Sequence, residues 1–250
     1  MKIKILYEDK DILAIDKPSG ILVHPDGHSD EKNILDLFIK EYPKIEIVHR
    51  LDKETSGVML LAKNKKAHEF LKHQFQERTV KKIYHAIVSG FVKNDHGLIN
   101  KPIGRSPRDF RRHLSGRGAR GELREAITKY KVLGRLEAPV CKNFSSCALP
   151  RLRGGTLEDK NFHRLPFFPF TYLEIMPKTG RTHQIRVHLK FLNHPVVCDS
   201  LYNPDYPCPA GLSRLALHAK SIEFKNLKGE NLKIESLLPR EFKKLVNLAG

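Results

Sequence analysis

With 250 residues, 40% hydrophobic and 29% charged, the chain can bury a real core and is neither low-complexity nor disordered in composition. Forty-five Lys and Arg against 28 Asp and Glu leave a formal charge of +17, which implies a polyanionic partner wherever the cations cluster. No apolar run reaches the length of a membrane span, and Met1 to Asp9 carries charges where a secretory signal needs apolar residues, so a cytoplasmic protein is expected.

Ile12 to Ile15 and Ile21 to Val23 read as short strands joined by a turn at Lys17-Pro18-Ser19-Gly20. Ile34, Leu35, Phe38 and Tyr42 then recur at helical spacing behind the capping candidates Asp30 and Asn33. Ile45 to Leu51 and Val58 to Ala62 are strand-like and flank Asp52-Lys53-Glu54-Thr55-Ser56-Gly57, a loop of residues that cap, turn and bind. Ala67, Phe70, Leu71 and Phe75 mark a helix capped near Asn64. Val80 to Val88 returns as a strand carrying Tyr84 and ended by Gly90.

Between Lys101 and Arg124 lie Lys101, Arg105, Arg108, Arg111, Arg112, Arg117, Arg120 and Arg124, opposed only by Asp109 and Glu122. Glycines and Ser106-Pro107 punctuate this stretch, so a basic insert over about 101–125 is predicted as an extended loop or hairpin able to mould onto phosphates. A merely solvated surface is the commoner fate of basic runs, but the dominance of arginine favours phosphate.

Farther along, Thr128, Tyr130 and Val132 alternate with lysines as a half-buried strand, and Tyr172 to Met176 forms another. The stretch between them, about 139–169, has no clear period and reads as an irregular surface insertion. Gly180 opens a predicted helix with Ile185, Leu189 and Leu192 on one face and Arg181, Gln184 and His188 on another. Leu215 to Phe224 is strand-like, and Glu241 to Leu248 is a terminal helix.

Strands and helices mix without a strict βαβ rhythm. This predicts an α+β fold with a mixed, largely antiparallel central sheet flanked by helices, in one domain over residues 1–250. Cys141, Cys147, Cys198 and Cys208 include no C-x-x-C pair and are expected as reduced thiols. A zinc site at Cys141, Cys147 and His163 fits no common ligand spacing, so no metal is expected.

Polar residues concentrate in three segments: His49-Arg50-Leu51-Asp52, Lys82-Ile83-Tyr84, and Gly180 to Leu189. Taken singly, each has a plain reading as a turn cap, a packed strand aromatic or a solvated helix face. Together they resemble the RluA-type pseudouridine synthase family. Its signature, H-R-L-D-x-x-T-S-G-x-x-L-x-A-K, stands complete at His49 to Lys63. The resemblance extends to Asp16-Lys17-Pro18-Ser19-Gly20 with His24-Pro25, to Lys82-Ile83-Tyr84, and to Gly180 to Leu189. It continues through His194-Pro195 with Asp199 and Tyr202, and Arg214 to Ala219.

The resemblance implies an isomerase that converts uridine to pseudouridine in structured ribosomal or transfer RNA, acting as a monomer with no metal or nucleotide cofactor. Asp52 would be the essential carboxylate and Tyr84 the ring that stacks on the target uracil. Arg186 would be the guanidinium beside Asp52, favouring its charged form by typically about 1–3 pKa units. Ile185 would wall the site. Arg50, His49, Arg181 and His183 are weaker candidates, for RNA phosphates or for bracing the site, and by charge placement Arg105, Arg111 and Arg112 would grip the RNA backbone. His49 and His183 are also the readiest to be plain structural histidines.

The small S4-like RNA-binding domain that precedes many family members is not expected, because the chain opens almost at once on catalytic-domain sequence. Cys198 stands where the family usually has glycine, so the local turn is expected to differ. An inactive RNA-binding protein and a hydrolase that releases the base remain rivals. Against the first stands the full set of three site residues. Against the second stands the lack of a second acid flanking the bond.

Overall fold

The computed structural model describes residues 3–25, 31–116, 118–141 and 166–247. The chain divides into two compact units, one formed by Met1–Tyr84 and Leu217–Leu237, the other by His85–Ala216 and Leu238–Gly250.

The first unit opens with the antiparallel strands β1 (Lys4–Glu8) and β2 (Ile12–Lys17). Helix α1 (Ile34–Phe38) starts at Asn33, whose side chain accepts from the Asp36 amide while the Asp36 carboxylate accepts from the Asn33 amide, the reciprocal cap foreshadowed by that asparagine. β2 and the short β3 (Glu46–Ile47) both pair antiparallel with β4 (Ser56–Ala62), every residue of which is buried. A strand covered on both faces has no polar side to show, so SGVMLLA reads as an unbroken apolar run. Helix α2 (Lys65–Gln76) begins where Asn64 accepts from the Ala67 amide, and within β5 (Lys81–Ser89) the chain passes from one unit to the other.

In the second unit follow β6 (His96–Asn100), β7 (Ile103–Arg105), β8 (His113–Ser115) and β9 (Arg120–Arg124). The long antiparallel pair β10 (Ile127–Cys141) and β11 (Phe167–Pro177) comes next, then α3 (Gln184–Phe191) and β12 (Cys208–Pro209). β13 (Leu217–Lys225) and β14 (Asn231–Glu235) return to the first unit, where β13 runs parallel to β4 and antiparallel to β14. α4 (Arg240–Val246) closes the described chain. The described pairs are mostly antiparallel, with β4 and β13 parallel, and this mixed sheet with few helices is the α+β class expected.

Period-two geometry sorts the first unit's core into two faces. Leu13, Ile15, Met59 and Leu61 pack with Ile34 and Phe38 of α1, while Ile12, Ala14, Val58 and Leu60 pack with Leu71 of α2.

Several expectations need correction. Ile21 to Val23 is not a strand, because that segment spends its backbone elsewhere: Leu22 O accepts from the Ile34 amide, and the Gly20 amide donates to Lys53 O. β2 pairs with β1 and β4 instead. The stretch expected as irregular over about 139–169 begins and ends in paired strand, with Pro139 opposite Phe167. Its middle lies outside the described residues, as do Cys147 and His163. The basic insert is neither loop nor simple hairpin but a three-stranded sheet ordered β8-β7-β9.

Two of the four cysteines are not the free thiols expected. Cys198 and Cys208 are joined as a disulfide, their Cα atoms 5.4 Å apart, within the span such a bridge requires. Cys198 lies at φ 55°, the left-handed region that favours glycine. Among the described residues, no helix is long and apolar enough to cross a membrane.

Candidate active site

The Asp52 loop is pinned from three directions within the first unit. Before it, the half-buried His49 ring stacks on Phe75 at 4.7 Å, and its Nε2 accepts from the Leu60 amide at 2.9 Å. Burial pulls the His49 pKa down to about 3, so near neutral pH the ring is uncharged with its proton on Nδ1. His49 is therefore a structural brace rather than a phosphate ligand. After the loop, Gly57 lies at φ 111° against β13, where any Cβ would come within 2.2 Å of Ala219 O. Only glycine fits that crossing, which gives the glycine of the signature its reason.

From the side, Lys17 reaches in with no exposed surface. Its ammonium donates to the carbonyl oxygens of Pro18, Lys53 and Thr55, each at 2.9 Å. Ser19 Oγ adds a bond to Glu54 O at 2.7 Å, and the Thr55 amide closes the turn onto Asp52 O at 3.1 Å. The Lys17-Pro18-Ser19-Gly20 segment is thus the clamp of the Asp52 loop, a role its sequence did not announce. Leu51, buried in the core beside Asp52, anchors the backbone beneath the carboxylate. Arg50 is exposed at the loop's entrance.

Tyr84, in β5, packs against the same core cluster as Leu51. Its hydroxyl is pushed well above the ordinary tyrosine value, first by burial and then by the negative charge of Asp52. That second cause places the acid and the phenol, 32 positions apart in the sequence, within electrostatic reach of each other. Near neutral pH the phenol keeps its proton. Lys82, two residues earlier, has its ammonium 6.0 Å from the Phe75 ring, and its pKa is lowered by burial.

In the second unit Arg186 is buried in α3, and its guanidinium forks onto Asp199, Nε to Oδ2 at 2.7 Å and NH2 to Oδ1 at 2.8 Å. Asp199 is fixed in turn by the Leu201 and Tyr202 amides at 3.0 Å, and the guanidinium lies 5.1 Å from the Tyr202 ring centre. A buried bidentate pair of this kind sets the plane of the arginine, which a lysine would leave undefined. Asp199 and Tyr202 belong to a block the sequence singled out, but nothing in their spacing assigned them to Arg186.

The helix around Arg186 departs from expectation. It starts at Gln184 rather than Gly180, after His183 in the left-handed region at φ 54°. Gln184 and His188 do not face solvent. Gln184 donates to Ile127 O and Thr128 Oγ1 at 3.0 Å each, and His188 bonds to Thr128 Oγ1 and Lys101 O. Apolar periodicity set these polar side chains on a face apart from Ile185 and Leu189 without naming their partners, and they knit α3 to the start of β10. Ile185 is buried, Arg181 donates to Glu125 O at 2.9 Å, and His183 Nδ1 sits 3.0 Å from the Tyr202 hydroxyl.

The basic insert is moored in this unit. Ile103 packs with Val187 and Tyr202, and the His113 amide donates to the Tyr202 hydroxyl at 2.9 Å. Arg111 is held by the Asp109 carboxylate, and Arg112 lies 3.5 Å from it. The Asp109 acid falls to about 2, chiefly through its bond to Arg111. Arg105 is exposed on β7.

A family model described as RNA pseudouridylate synthase matches residues 11–191. The chain is 40% identical over 209 residues to an uncharacterized RNA pseudouridine synthase of Aquifex aeolicus (strain VF5), covering 80% of this chain and 56% of that protein. It is 33% identical over 264 residues to ribosomal large subunit pseudouridine synthase D of Neisseria meningitidis serogroup B, covering 99% of this chain and 61% of that protein. The chain therefore spans less than two thirds of the length of these two relatives. The solved structure of human RNA Pseudouridylate Synthase Domain Containing 4 matches with a TM-score of 0.69 at 26% identity, covering 98% of this chain and 92% of that one.

Proposed function

Because the chain belongs to the RNA pseudouridylate synthase family, we propose that it isomerises uridine to pseudouridine in structured ribosomal or transfer RNA, with Asp52 as the essential carboxylate. The observation that carries this reading is the Asp52 loop, clamped by Lys17 and closed by Gly57, with Tyr84 of β5 packed on the same core cluster as Leu51. The reaction breaks the bond between uracil N1 and ribose C1′, turns the captive base and rejoins it through C5. One glycosidic bond replaces another with no net redox change, so the chemistry calls for no cofactor.

In this reading the target uridine is flipped out of its stem or loop, since a stacked base cannot be reached. Tyr84 offers a ring on which uracil stacks, and its protonated hydroxyl can donate where the base is turned. Arg186, its plane set by Asp199, is the guanidinium assigned to orient the Asp52 carboxylate. Ile185 supplies an apolar wall, Arg50 and Arg181 contact the RNA, and Arg105 with its neighbours meets the backbone. The name of the Neisseria relative makes large-subunit ribosomal RNA the first substrate to examine.

The test is pseudouridine mapping across total RNA from cells with the gene, cells without it, and deleted cells given back either a wild-type or an Asp52→Asn copy. At least one site is expected to vanish on deletion, to return with the wild-type chain and to stay absent with Asp52→Asn. Full restoration by Asp52→Asn, or release of free uracil from the RNA, overturns the reading.

A further inference from the structure

Seven residues, Ser106 to Arg112, join β7 to β8. The connection is a built turn rather than slack chain. The Ser106 amide donates to Arg112 O at 3.0 Å, and the Arg112 amide donates to Asp109 O at 2.9 Å. Ser106 Oγ accepts from the Arg108 and Asp109 amides, and Asp109 Oδ1 accepts from the Arg111 amide. At the apex of this lattice sits Phe110, 84% exposed, the most exposed large hydrophobic side chain described.

Scattered exposed apolar residues are ordinary on protein surfaces and by themselves mean little. Here, however, the backbone is organised by five hydrogen bonds so that it presents one phenyl ring to water. The surroundings are cationic. Arg111 and Arg112 are tied to Asp109, while Arg105 and Arg108 have no carboxylate partner among the described residues. An aromatic ring flanked by uncommitted guanidinium groups suits one chemistry: an unpaired nucleobase stacked on the ring, with its phosphates held on either side.

We propose that Phe110 is a stacking finger that takes one unpaired base of the RNA, at a position other than the isomerised uridine, while Arg105 and Arg108 hold the adjoining phosphates. Stacking is indifferent to base identity, so the finger selects loops and bulges over continuous duplex. The inference rests on the RNA substrate of the proposed function. Rigidity of the turn matters because a finger already in position loses little freedom on binding.

The chain contains no tryptophan, so Phe110→Trp places a single indole reporter at the apex of the full-length protein. The probes are a synthetic stem-loop RNA and a fully paired RNA of equal phosphate count. Indole emission is expected to be quenched by the stem-loop and not by the duplex. Phe110→Ala should weaken stem-loop binding by roughly 5- to 150-fold with an unchanged salt dependence, and leave duplex binding as it was. Equal quenching by both RNAs, wild-type affinity in Phe110→Ala, or a wild-type chain that binds neither RNA overturns the proposal. If these differences appear while the wild-type chain forms no pseudouridine, the functional reading fails and the finger stands. If pseudouridine forms without them, the finger alone fails.

Discussion

Lys17 places a buried ammonium on three main-chain carbonyls, two of them in the loop that carries Asp52. Methionine matches its length without the charge, so Lys17→Met leaves those carbonyls unsatisfied, at about 1–3 kcal/mol for each one that water does not reach. Expected is a fall in melting temperature together with a larger loss in kcat than in substrate affinity. Unchanged stability in urea would mean that the clamp is idle. His49 sets a pH limit by a different route. Its folded pKa lies below its unfolded one, so its contribution is intact above about pH 6.5 and is lost as pH falls toward 3, where only the unfolded chain takes up the proton. The slope is at most about 1.4 kcal/mol per pH unit, and the ring's partial exposure lessens it. Thermal melts of the wild type and His49→Gln between pH 7 and 5 should converge in acid; parallel curves would clear His49 of the effect. His188, also lowered by burial, acts in the same direction.

At the level of elements, Tyr202 is one of the residues that tie the second unit's basic sheet to the helix bearing Arg186. The Tyr202 hydroxyl receives the His113 amide of β8 and meets His183 at the start of α3, and its ring lies under the Arg186 guanidinium. Tyr202→Phe keeps the ring and removes the hydroxyl. Amide exchange in β8 should quicken by roughly tenfold, corresponding to about one hydrogen bond, while α2 stays as protected as before. Uniform exchange across both would mean that β8 is held by other means. None of this was legible from periodicity. All five residues of β9 are exposed, so the strand shows no alternation of buried and open sides, and the polar anchors of α3, Gln184 and His188, look like a wetted face until their partners on β10 are known. The two capped helices were legible, because Asn33 and Asn64 act on residues three places away.

Across the whole molecule, the formal charge of +17 would make the proposed RNA binding a matter of counterions. Contacts with about six phosphates should cost roughly a thousandfold in affinity between about 50 and 200 mM salt. Filter binding over that range tests it, and a flat response would remove the basic insert from the interface. The family signature was readable because it is contiguous, running unbroken from His49 to Lys63. Its supports were not, since Ser56 finds His218 across 162 positions and Arg186 finds Asp199 only through a turn that no local rule marks. The same separation has a consequence for the chain's birth. Gly57 rests against Ala219, and the first unit takes its strands β13 and β14 from Leu217–Leu237. A nascent chain cannot complete the sheet against which Gly57 rests until Leu217–Leu237 has been made, so the proposed site stays unformed throughout the synthesis of the residues between.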